Sequence, residues 1–345
     1  MSVSAHGVAT VAAQEFRLRI RAGRWQWLLA IWFVVLFLFT GLIWLSLRQP
    51  IGIEGERGTP MFGALMLFVL ALALLVVPAL TAQSVNGDRE RGTLATLQVT
   101  LLTPADIALG KLAAAWGTAL VFLALSLPLV AWCVVEGGVT LSRLAVTLTV
   151  VSLLLGVVCA IAQALSAVLA RSTTSAVLSY LAVFALTIGT LIVFGLAATL
   201  STETVTRRER VPVFDPNGAT ITGYTDEEYT TTEPRTERIW WLLAPNPFVV
   251  LADAAPQLPP RRDPVTGLEA TQSDVDVLGA IGLVVRDLRS PPEDRGEGPL
   301  IDKRGAAVWP FGLAADLALG AAALAITTRR LRTPSRRLPR GIRIA

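Results

Sequence analysis

Very few residues in this sequence have side chains that can act as nucleophiles, metal ligands or general acids and bases. His6 is the single histidine, and it lies in a polar leader ahead of the first apolar run. Cys133 and Cys159 are the two cysteines, and both lie within or at the edge of apolar runs. Their number and surroundings predict neither a disulfide framework nor a metal site. We therefore expect no metal site and no histidine- or cysteine-based catalytic site.

The sequence that comes closest to a nucleotide-binding loop is ADIALGKL, residues 105–112. A phosphate-binding loop has a glycine, four residues and then Gly-Lys-Ser/Thr, because its backbone amides and its lysine surround the phosphates. Here Ala105 stands in place of the first glycine, and Leu112 in place of the hydroxyl residue. The chain also lacks Gly-x-Ser-x-Gly and His-Glu-x-x-His motifs. We therefore expect no catalytic residue, no bound cofactor and no enzymatic activity in this chain.

Two polar residues stand out within the apolar runs. Asp316 lies in the last run, where a charge at mid-bilayer costs on the order of 2.5–3.5 kcal/mol. It should therefore face other helices or a polar cavity, either as a functional group or as the donor or acceptor of a structural hydrogen bond. Gln163 lies in the fourth run, and the expected role for an amide there is to join two helices.

The composition predicts a membrane protein. The 345 residues are 53% hydrophobic and 16% charged, with a mean hydropathy of +0.59, whereas soluble domains are about 25% charged. A membrane span needs roughly 20 apolar residues. Six runs qualify: Trp25–Leu47, Met61–Thr81, Leu112–Trp132, Leu144–Ala170, Ala176–Leu200 and Trp309–Thr328. We expect an all-α polytopic membrane protein.

The distribution of arginine and lysine predicts the orientation. With the N-terminus inside, the inner segments hold fifteen of these residues and the short outer loops hold three, as the positive-inside rule requires. The expected order is a cytoplasmic leader (1–24), five spans with a cytoplasmic segment 82–111 between the second and third (25–200), an extracytoplasmic segment (201–308), the sixth span (309–328) and a basic cytoplasmic tail (329–345). The location is the plasma membrane. A net charge of +4 gives no reason to expect nucleic acid as a partner.

Two further segments are predicted to lie at the membrane surface. Residues 8–24 mix apolar side chains with four arginines, which is typical of a helix that lies on the inner surface with its arginines near lipid phosphates; an ordinary basic flank is the alternative. Thr10 is its candidate cap. Residues 239–255 are apolar, but Pro245-Asn246-Pro247 interrupts them, and lipid cannot replace the lost backbone hydrogen bonds. We expect an interfacial or re-entrant piece there rather than a seventh span.

The long outer segment has local patterns of its own. Residues 211–224 predict a hairpin around the turn at 215–218. Residues 274–288 predict a helix with one apolar face, formed by Val277, Leu278, Ile281, Val284, Val285 and Leu288. Nothing in 201–305 resembles a catalytic site, so the segment is expected to be a structural cap or, alternatively, a surface for substrate or a partner.

The segment between the second and third apolar runs predicts two helices. Gly92 allows a turn, Thr93 is a candidate N-cap, and Leu94, Leu97 and Leu101 share one helical face. Thr103, Pro104 and Asp106 have the spacing of a second cap, whose helix continues through Lys111 into the third span. The segment is either a loop resting on headgroups or a lever that passes the push of a soluble partner into the third span.

Residues 86–111, NGDRERGTLATLQVTLLTPADIALGK, resemble the signature of the type-2 ABC transporter permeases. That signature has an acid, a Gly-Thr pair, a leucine stretch, a Thr-Pro or Ser-Pro pair and a Gly-Lys that opens the third span. The leader, the six spans and the tail are similar to actinobacterial permeases of this family, while the segment between the fifth and sixth spans is longer. The matching residues are Glu90, Gly92, Thr93, Leu94, Leu97, Thr103, Pro104, Gly110 and Lys111.

The resemblance implies the permease half of a bacterial exporter. A separate cytoplasmic ABC ATPase subunit would bind ATP and Mg²⁺, and a second copy or a paralogue of the permease would complete the pathway in the lipid. The residues implied to couple the ATPase to the spans are Arg89, Glu90, Arg91, Gly92, Thr93, Leu94, Leu97, Thr103, Pro104 and Lys111, with Arg89, Glu90 and Arg91 in charged contacts with the ATPase.

Two other functions stay open from the sequence. An ion-coupled secondary carrier would use Asp316, although the spans hold little charge. A non-transporting scaffold would bind an envelope partner through the outer segment.

Overall fold

Six long helical stretches dominate the fold. The computed structural model describes residues 3–21, 23–47, 57–90, 92, 102–214, 221–258, 261–262, 269–270, 276–291 and 305–332. Within these ranges six helical stretches are long and apolar enough to cross a membrane, in agreement with the six predicted runs, and this architecture is compatible with a multi-pass membrane protein. Their bounds are Trp25–Ser46, Gly58–Glu90, Pro104–Val135, Leu141–Val168, Ser172–Leu200 and Trp309–Arg330.

The helices are numbered in chain order. α1 (Ala5–Arg21) precedes α2 (Arg24–Ser46), which is the first candidate span. α3 (Gly58–Thr81) and α4 (Asn86–Glu90) form the second, α5 (Pro104–Leu125) and α6 (Leu127–Val135) the third, and α7 (Leu141–Val168) the fourth. α8 (Ser172–Phe184), a π turn (Ala185–Gly189) and α9 (Thr190–Leu200) form the fifth. α10 (Pro247–Ala254) and α11 (Val277–Asp287) precede α12 (Trp309–Arg330), the sixth.

The second, third and fourth spans form the core of the bundle. Half of the second and of the fourth apolar windows is buried, compared with 17% of the first and 6% of the fifth. α12 packs lengthwise on α7, where Gly320 lies against Val157 and Ala323 contacts Ala160 and Ala164. Small side chains at such a contact allow two helices to approach closely, which is how packing stabilises helix pairs in lipid.

Two spans are interrupted by local sequence. Ser126 ends α5 and donates its hydroxyl to the Leu123 carbonyl at 2.6 Å, and Pro128 stands in the first turn of α6. In the fifth span, the π turn Ala185–Gly189 adds a residue to one helical turn. Asn246 donates to the Thr187 carbonyl at 2.7 Å and to Thr190 Oγ1 at 2.9 Å, so it partners a backbone group at this irregularity.

The bundle has two ends: the leader end, next to α1, and the hairpin end, where the fifth span leads into the strands described below. The two ends are built differently. At the leader end, a small apolar cluster joins Val85, Ile107, Ala167 and Leu331, which belong to the ends of four different spans. At the hairpin end, Trp44 and Trp132 both donate to Glu136. The start of α3 lies against backbone carbonyls near the end of α6. Successive spans therefore run in opposite directions between these two ends.

The all-α expectation is wrong in the segment between the fifth and sixth spans, because residues 202–214 and 221–234 form the two strands of a long antiparallel ribbon. β1 (Thr202–Phe214) pairs with β2 (Ile221–Pro234) from Thr202↔Pro234 to Phe214↔Ile221, with a bulge near the turn. The hairpin predicted over 211–224 is confirmed, but its strands are longer; the predicted turn residues 215–218 lie outside the described residues. Threonine-rich, β-branched strands explain the extension. A second, two-residue pair joins β3 (Arg261–Arg262) to β4 (Glu269–Ala270).

The segment 239–255 does not form a seventh span. It contains a 3₁₀ turn (Trp240–Leu242), a break at Pro245 and the eight-residue helix α10, which is far shorter than the roughly 20 residues that a crossing needs. Asn246 caps α10 by accepting from the Phe248 amide at 2.9 Å. Val250, Leu251 and Ala252 are fully buried in the main apolar core. The proline pair therefore breaks the apolar run, and the short helix that follows the break packs into the core.

The face predicted for α11 is partly wrong. Val277 and Val284 are 47% exposed, whereas Leu278, Gly279, Gly282 and Val285 are buried. The reason is close packing: a Cβ built on Gly282 would lie 2.8 Å from the Ala252 carbonyl oxygen. A pattern that counts only large apolar side chains cannot detect a face that is made by glycines.

Candidate coupling junction

Of the residues predicted to couple a partner to the spans, those that the structure describes meet at the leader end. We define the coupling junction as α1, residues 82–90 and 92, the start of α5 (Leu102–Lys111) and the α7–α8 connection (Ala167–Ser172). It contains the described parts of the segment 82–111. Residues Arg91, Thr93, Leu94, Leu97 and Leu101, and with them the predicted amphipathic helix, lie outside the described residues.

The start of α5 is a capping box, as its sequence predicts. The Thr103 hydroxyl accepts from the Asp106 amide at 3.1 Å, and the Asp106 carboxylate accepts from the Thr103 amide at 2.9 Å. Pro104 occupies the first turn, where its missing N–H costs nothing. The other oxygen of Asp106 accepts from the Ser4 amide at 2.8 Å. One buried carboxylate thereby ties the start of α5 to the start of the leader helix.

The leader helix packs lengthwise along α5. It begins at Ala5, so the predicted cap Thr10 lies inside the helix, where its hydroxyl donates to the His6 carbonyl at 2.8 Å. Glycines create the contact: a Cβ built on Gly110 would lie 2.6 Å from Val11 Cβ, and one on Gly7 would lie 3.0 Å from Leu102 Cδ2. The conformational cost of glycine in α5 is offset by this close approach.

Lys111 is a buried cation of the junction that contacts three acceptors. Its side chain is 1% exposed. The ammonium donates to the Glu15 carboxylate of α1, to the Asp88 carboxylate of α4 and to the Ser84 carbonyl, the last at 3.0 Å. An ammonium has three N–H donors, so each has an acceptor. The resemblance implies that Lys111 helps to couple the ATPase to the spans; in the structure its contacts lie inside the chain.

Arg19 extends the same contact one turn further along the leader. Its guanidinium donates to Thr118 Oγ1 at 2.9 Å. Burial lowers the pKa of Arg19, and the nearby Glu15 carboxylate opposes that shift. Of the four leader arginines expected to face lipid phosphates, Arg19 is therefore turned toward α5.

Arg89 and Glu90 bind the α7–α8 connection. Arg89 donates to the Leu169 carbonyl at 3.3 Å and to the Ala167 carbonyl at 3.5 Å, at the C-terminus of α7. Glu90 accepts from the Ser172 amide at 3.4 Å, at the N-terminus of α8. Each charge faces the helix end whose dipole it complements. Both residues were expected to form charged contacts with a partner, and the structure shows that they have contacts within the chain.

Ser166 and Gly92 complete the described part of the junction. The Ser166 hydroxyl accepts from the Val85 and Asn86 amides, both at 3.1 Å, which fixes the end of the second span on α7. Gly92 has φ +70°, in the left-handed region that favours glycine. The chain therefore turns sharply just after Glu90, which is exposed.

The structure brings together Arg89, Glu90, Thr103, Pro104 and Lys111 of the predicted coupling residues. Sequence reasoning missed the partners Glu15, Asp88 and Ser166. One signal was available for Glu15: it is the only acidic residue among the first 24, which are otherwise basic or neutral. No comparable signal marks Ser166, because serine in an apolar helix commonly bonds within its own helix.

The two predicted intramembrane polar residues differ in their hydrogen bonding. Gln163 donates to the Ala108 carbonyl at 2.8 Å, joining α7 to α5 as expected. Asp316 is 1% exposed, and both of its carboxylate oxygens lack a hydrogen-bond partner in the part of the chain that the structure describes. The expected hydrogen bond to a neighbouring span is thus not seen for Asp316.

A second polar cluster, at the hairpin end, was not predicted. Asp253 of α10 is fully buried and accepts from the Val308 and Trp309 amides at 2.6 and 2.7 Å, at the start of α12, and from Arg286 of α11. Arg143 of α7, also fully buried, pairs with Asp276 at the start of α11. These contacts fasten α10 and α11 to the spans.

The described side chains include no group of three or more histidine, cysteine, aspartate or glutamate residues arranged to hold a metal ion. Cys133 and Cys159 are buried free thiols. No family model matches the chain, and no curated protein matches it significantly.

Proposed function

We propose that this chain is the membrane-spanning permease subunit of a bacterial ATP-driven exporter of the type-2 ABC kind. A separate cytoplasmic ATPase subunit binds ATP and Mg²⁺, and a second permease, a copy or a paralogue, completes the pathway. The leader end faces the cytoplasm and the ribbon faces outward, as the arginine and lysine distribution indicates. The chain itself carries no catalytic residue.

The observation that carries the proposal is the fixation of both ends of residues 91–101. Before this segment, Arg89 and Glu90 bind the α7–α8 connection. After it, Asp106 and Lys111 bind the leader and α4. A displacement of residues 91–101 is therefore passed to several spans at once, since none of these contacts lets one helix move alone. A loop that merely connects two spans needs no such attachment.

The proposed mechanism is mechanical. Closure of the ATPase subunits presses on residues 91–101, and the exposed Glu90 and Gly92 at their edge meet the partner. Charges at the rim of such a contact set orientation and association rate more than affinity. The push passes through α4 and α5 into the second and third spans and through Arg89 into the fourth. The weakly buried first and fifth spans supply surface for lipid and for the second permease.

The test is purification of the full chain from its native membrane followed by identification of bound proteins. We expect an ATPase subunit to co-purify and its activity to depend on the permease. Glu90→Lys and Gly92→Trp should each lower that activity, the second because tryptophan does not adopt φ +70° without strain. Glu203→Lys, a charge reversal at the hairpin end, is the control and should leave it unchanged. Absence of any ATPase, or full activity in both junction variants, would refute the proposal.

A second candidate function is supported by Asp316, a buried carboxylate in a span with no hydrogen-bond partner among the described residues, because intramembrane acids often belong to proton pathways. An ion-coupled carrier would lose transport in Asp316→Asn and would lose it equally when a protonophore collapses the gradient. The exporter proposal predicts that Asp316→Asn retains most ATP-linked activity and that a protonophore has no effect.

A further inference from the structure

Lys111 contacts three segments that are far apart in sequence. Its own helix is α5, Glu15 belongs to α1, and Ser84 and Asp88 belong to the end of the second span. All three donors of the ammonium are used, and the side chain is 1% exposed. Because the two carboxylates lie on different elements, movement of α1 or α4 away from α5 separates an acid from this buried ammonium, which is unfavourable.

The acidic side chains that contact Lys111 outnumber the single ammonium that they share. Two carboxylates share this one ammonium, and Arg19 lies one turn from Glu15 on the leader. Removal of Lys111 would leave the Glu15 and Asp88 carboxylates without the cation that they share, which risks misfolding. Removal of the Glu15 charge keeps the Lys111–Asp88 pair and breaks only the ionic contact of the leader. Glu15 is therefore the residue at which leader attachment can be separated from the fold of the spans.

We propose that Lys111 is a positioning residue that joins the leader helix, α4 and α5 into one rigid unit, so that the leader must move whenever α4 or α5 is displaced. The consequence for transport rests on the proposed function. The existence of the rigid unit does not depend on it. The leader is then required for force transmission, and Glu15 is the residue through which the leader takes part in that transmission.

The first test is hydrogen–deuterium exchange of the full chain in lipid nanodiscs, without any partner. Glu15→Gln should speed exchange of the α1 amides at least roughly tenfold, the scale expected when a buried ion pair loses one member, while α7 amides stay protected. Arg17→Gln removes a charge from an exposed position two residues away and should leave exchange unchanged. Unchanged α1 exchange in Glu15→Gln would overturn the proposal.

The second test exchanges charges in an Asp88→Asn background, where the remaining ion pair is one to one. In that background Glu15→Lys and Lys111→Glu should each release the leader, and the two together should restore its protection. A role in packing alone predicts that the double exchange is as poorly protected as the single changes, and that result would refute the ionic joint.

The third test adds the ATPase subunit. Glu15→Gln should lose at least roughly tenfold of the permease-dependent stimulation of ATP hydrolysis, comparable to the loss in leader protection, and the charge exchange should recover it in parallel. Stimulation that persists with a released leader would overturn the role in transmission. If the wild-type chain stimulates no ATPase, the proposed function fails, while the two exchange experiments still decide whether the rigid unit exists.

Discussion

Asp106 and Lys111 each bind more than one element, and this is how single side chains organise the leader end. Asp106 accepts from backbone amides at the starts of two helices, at 2.8 and 2.9 Å. Lys111 donates to acceptors on two other segments. Hydrogen bonds to a charged group contribute about 1.5–3 kcal/mol each, so these two residues add to the apolar packing that holds the leader on α5.

At this scale Thr103 gives a clean prediction. Thr103→Ala removes one half of the capping box and should lower the free energy of unfolding by about 0.5–2 kcal/mol, while also loosening the attachment of residues 91–101. Thr140 caps α7 at the hairpin end, where its hydroxyl accepts from the Arg143 amide at 3.3 Å. Thr140→Ala should cost similar stability. Denaturation and partner-stimulated ATPase activity measure the two effects.

Only Thr103→Ala is expected to reduce ATPase stimulation beyond its effect on stability. Equal losses of stimulation in Thr103→Ala and Thr140→Ala would show that the cap matters for folding alone. The sequence contained this site in full, because a Thr-Pro-x-Asp spacing specifies its own local geometry. It did not contain the Ser4 contact, which depends on how α1 packs.

At the scale of elements, glycines decide which helices touch. Gly110 lets α1 approach α5, Gly282 lets α11 approach α10, and Gly320 lets α12 approach α7. The positions of the spans followed from their apolar lengths, since a run of about 20 residues has few alternatives in lipid. Their partners did not follow, because a glycine at a contact and a glycine in open space are the same letter in the sequence.

A pair of substitutions in α5 tests this point. Gly110→Ala places a methyl group 2.6 Å from Val11 Cβ, so it should displace the leader and cost roughly 1–3 kcal/mol of stability, as overpacking does. In Gly117→Ala, where nothing lies within 4 Å, the same change should stabilise α5 by about 0.5–1 kcal/mol. Thermal unfolding compares the two, and protease sensitivity of α1 reports leader release.

The two variants are expected to change the free energy of unfolding in opposite directions. If Gly110→Ala is as stable as Gly117→Ala and its leader resists protease equally, then α1 does not pack on α5 through this glycine.

For the whole molecule, the spans and the ribbon are largely independent. β1 and β2 pair with each other over their full length, and a lone two-stranded ribbon adds little stability. At its base, Arg238 and Arg235 donate to Glu203 and lower the pKa of that carboxyl group. α11 is different, since Arg143–Asp276 and Leu278 connect it to the main core.

Deletion experiments should show this division. Replacing residues 204–232 by a short turn is expected to leave the purified protein monodisperse, with a melting temperature within a few degrees of the wild type and intact ATPase stimulation. Replacing 276–287 by a linker should destabilise the bundle, because it removes Asp276 and leaves the Arg143 charge buried without that partner. Loss of ATPase stimulation in a ribbon deletion that remains folded would favour the scaffold alternative, in which the outer segment is the functional part.

The packing of α12 on α7 has a consequence for biogenesis. The two helices form one of the tightest pairs in the bundle, yet residues 169–308 lie between them. At a translation rate of about 5–20 residues per second, roughly 7–28 s pass before α12 emerges. During that time the small-residue face of α7 has only lipid, the translocation machinery or a chaperone beside it. The nascent protein must therefore be stored as a partly assembled bundle, which makes the last helix the step at which insertion is completed.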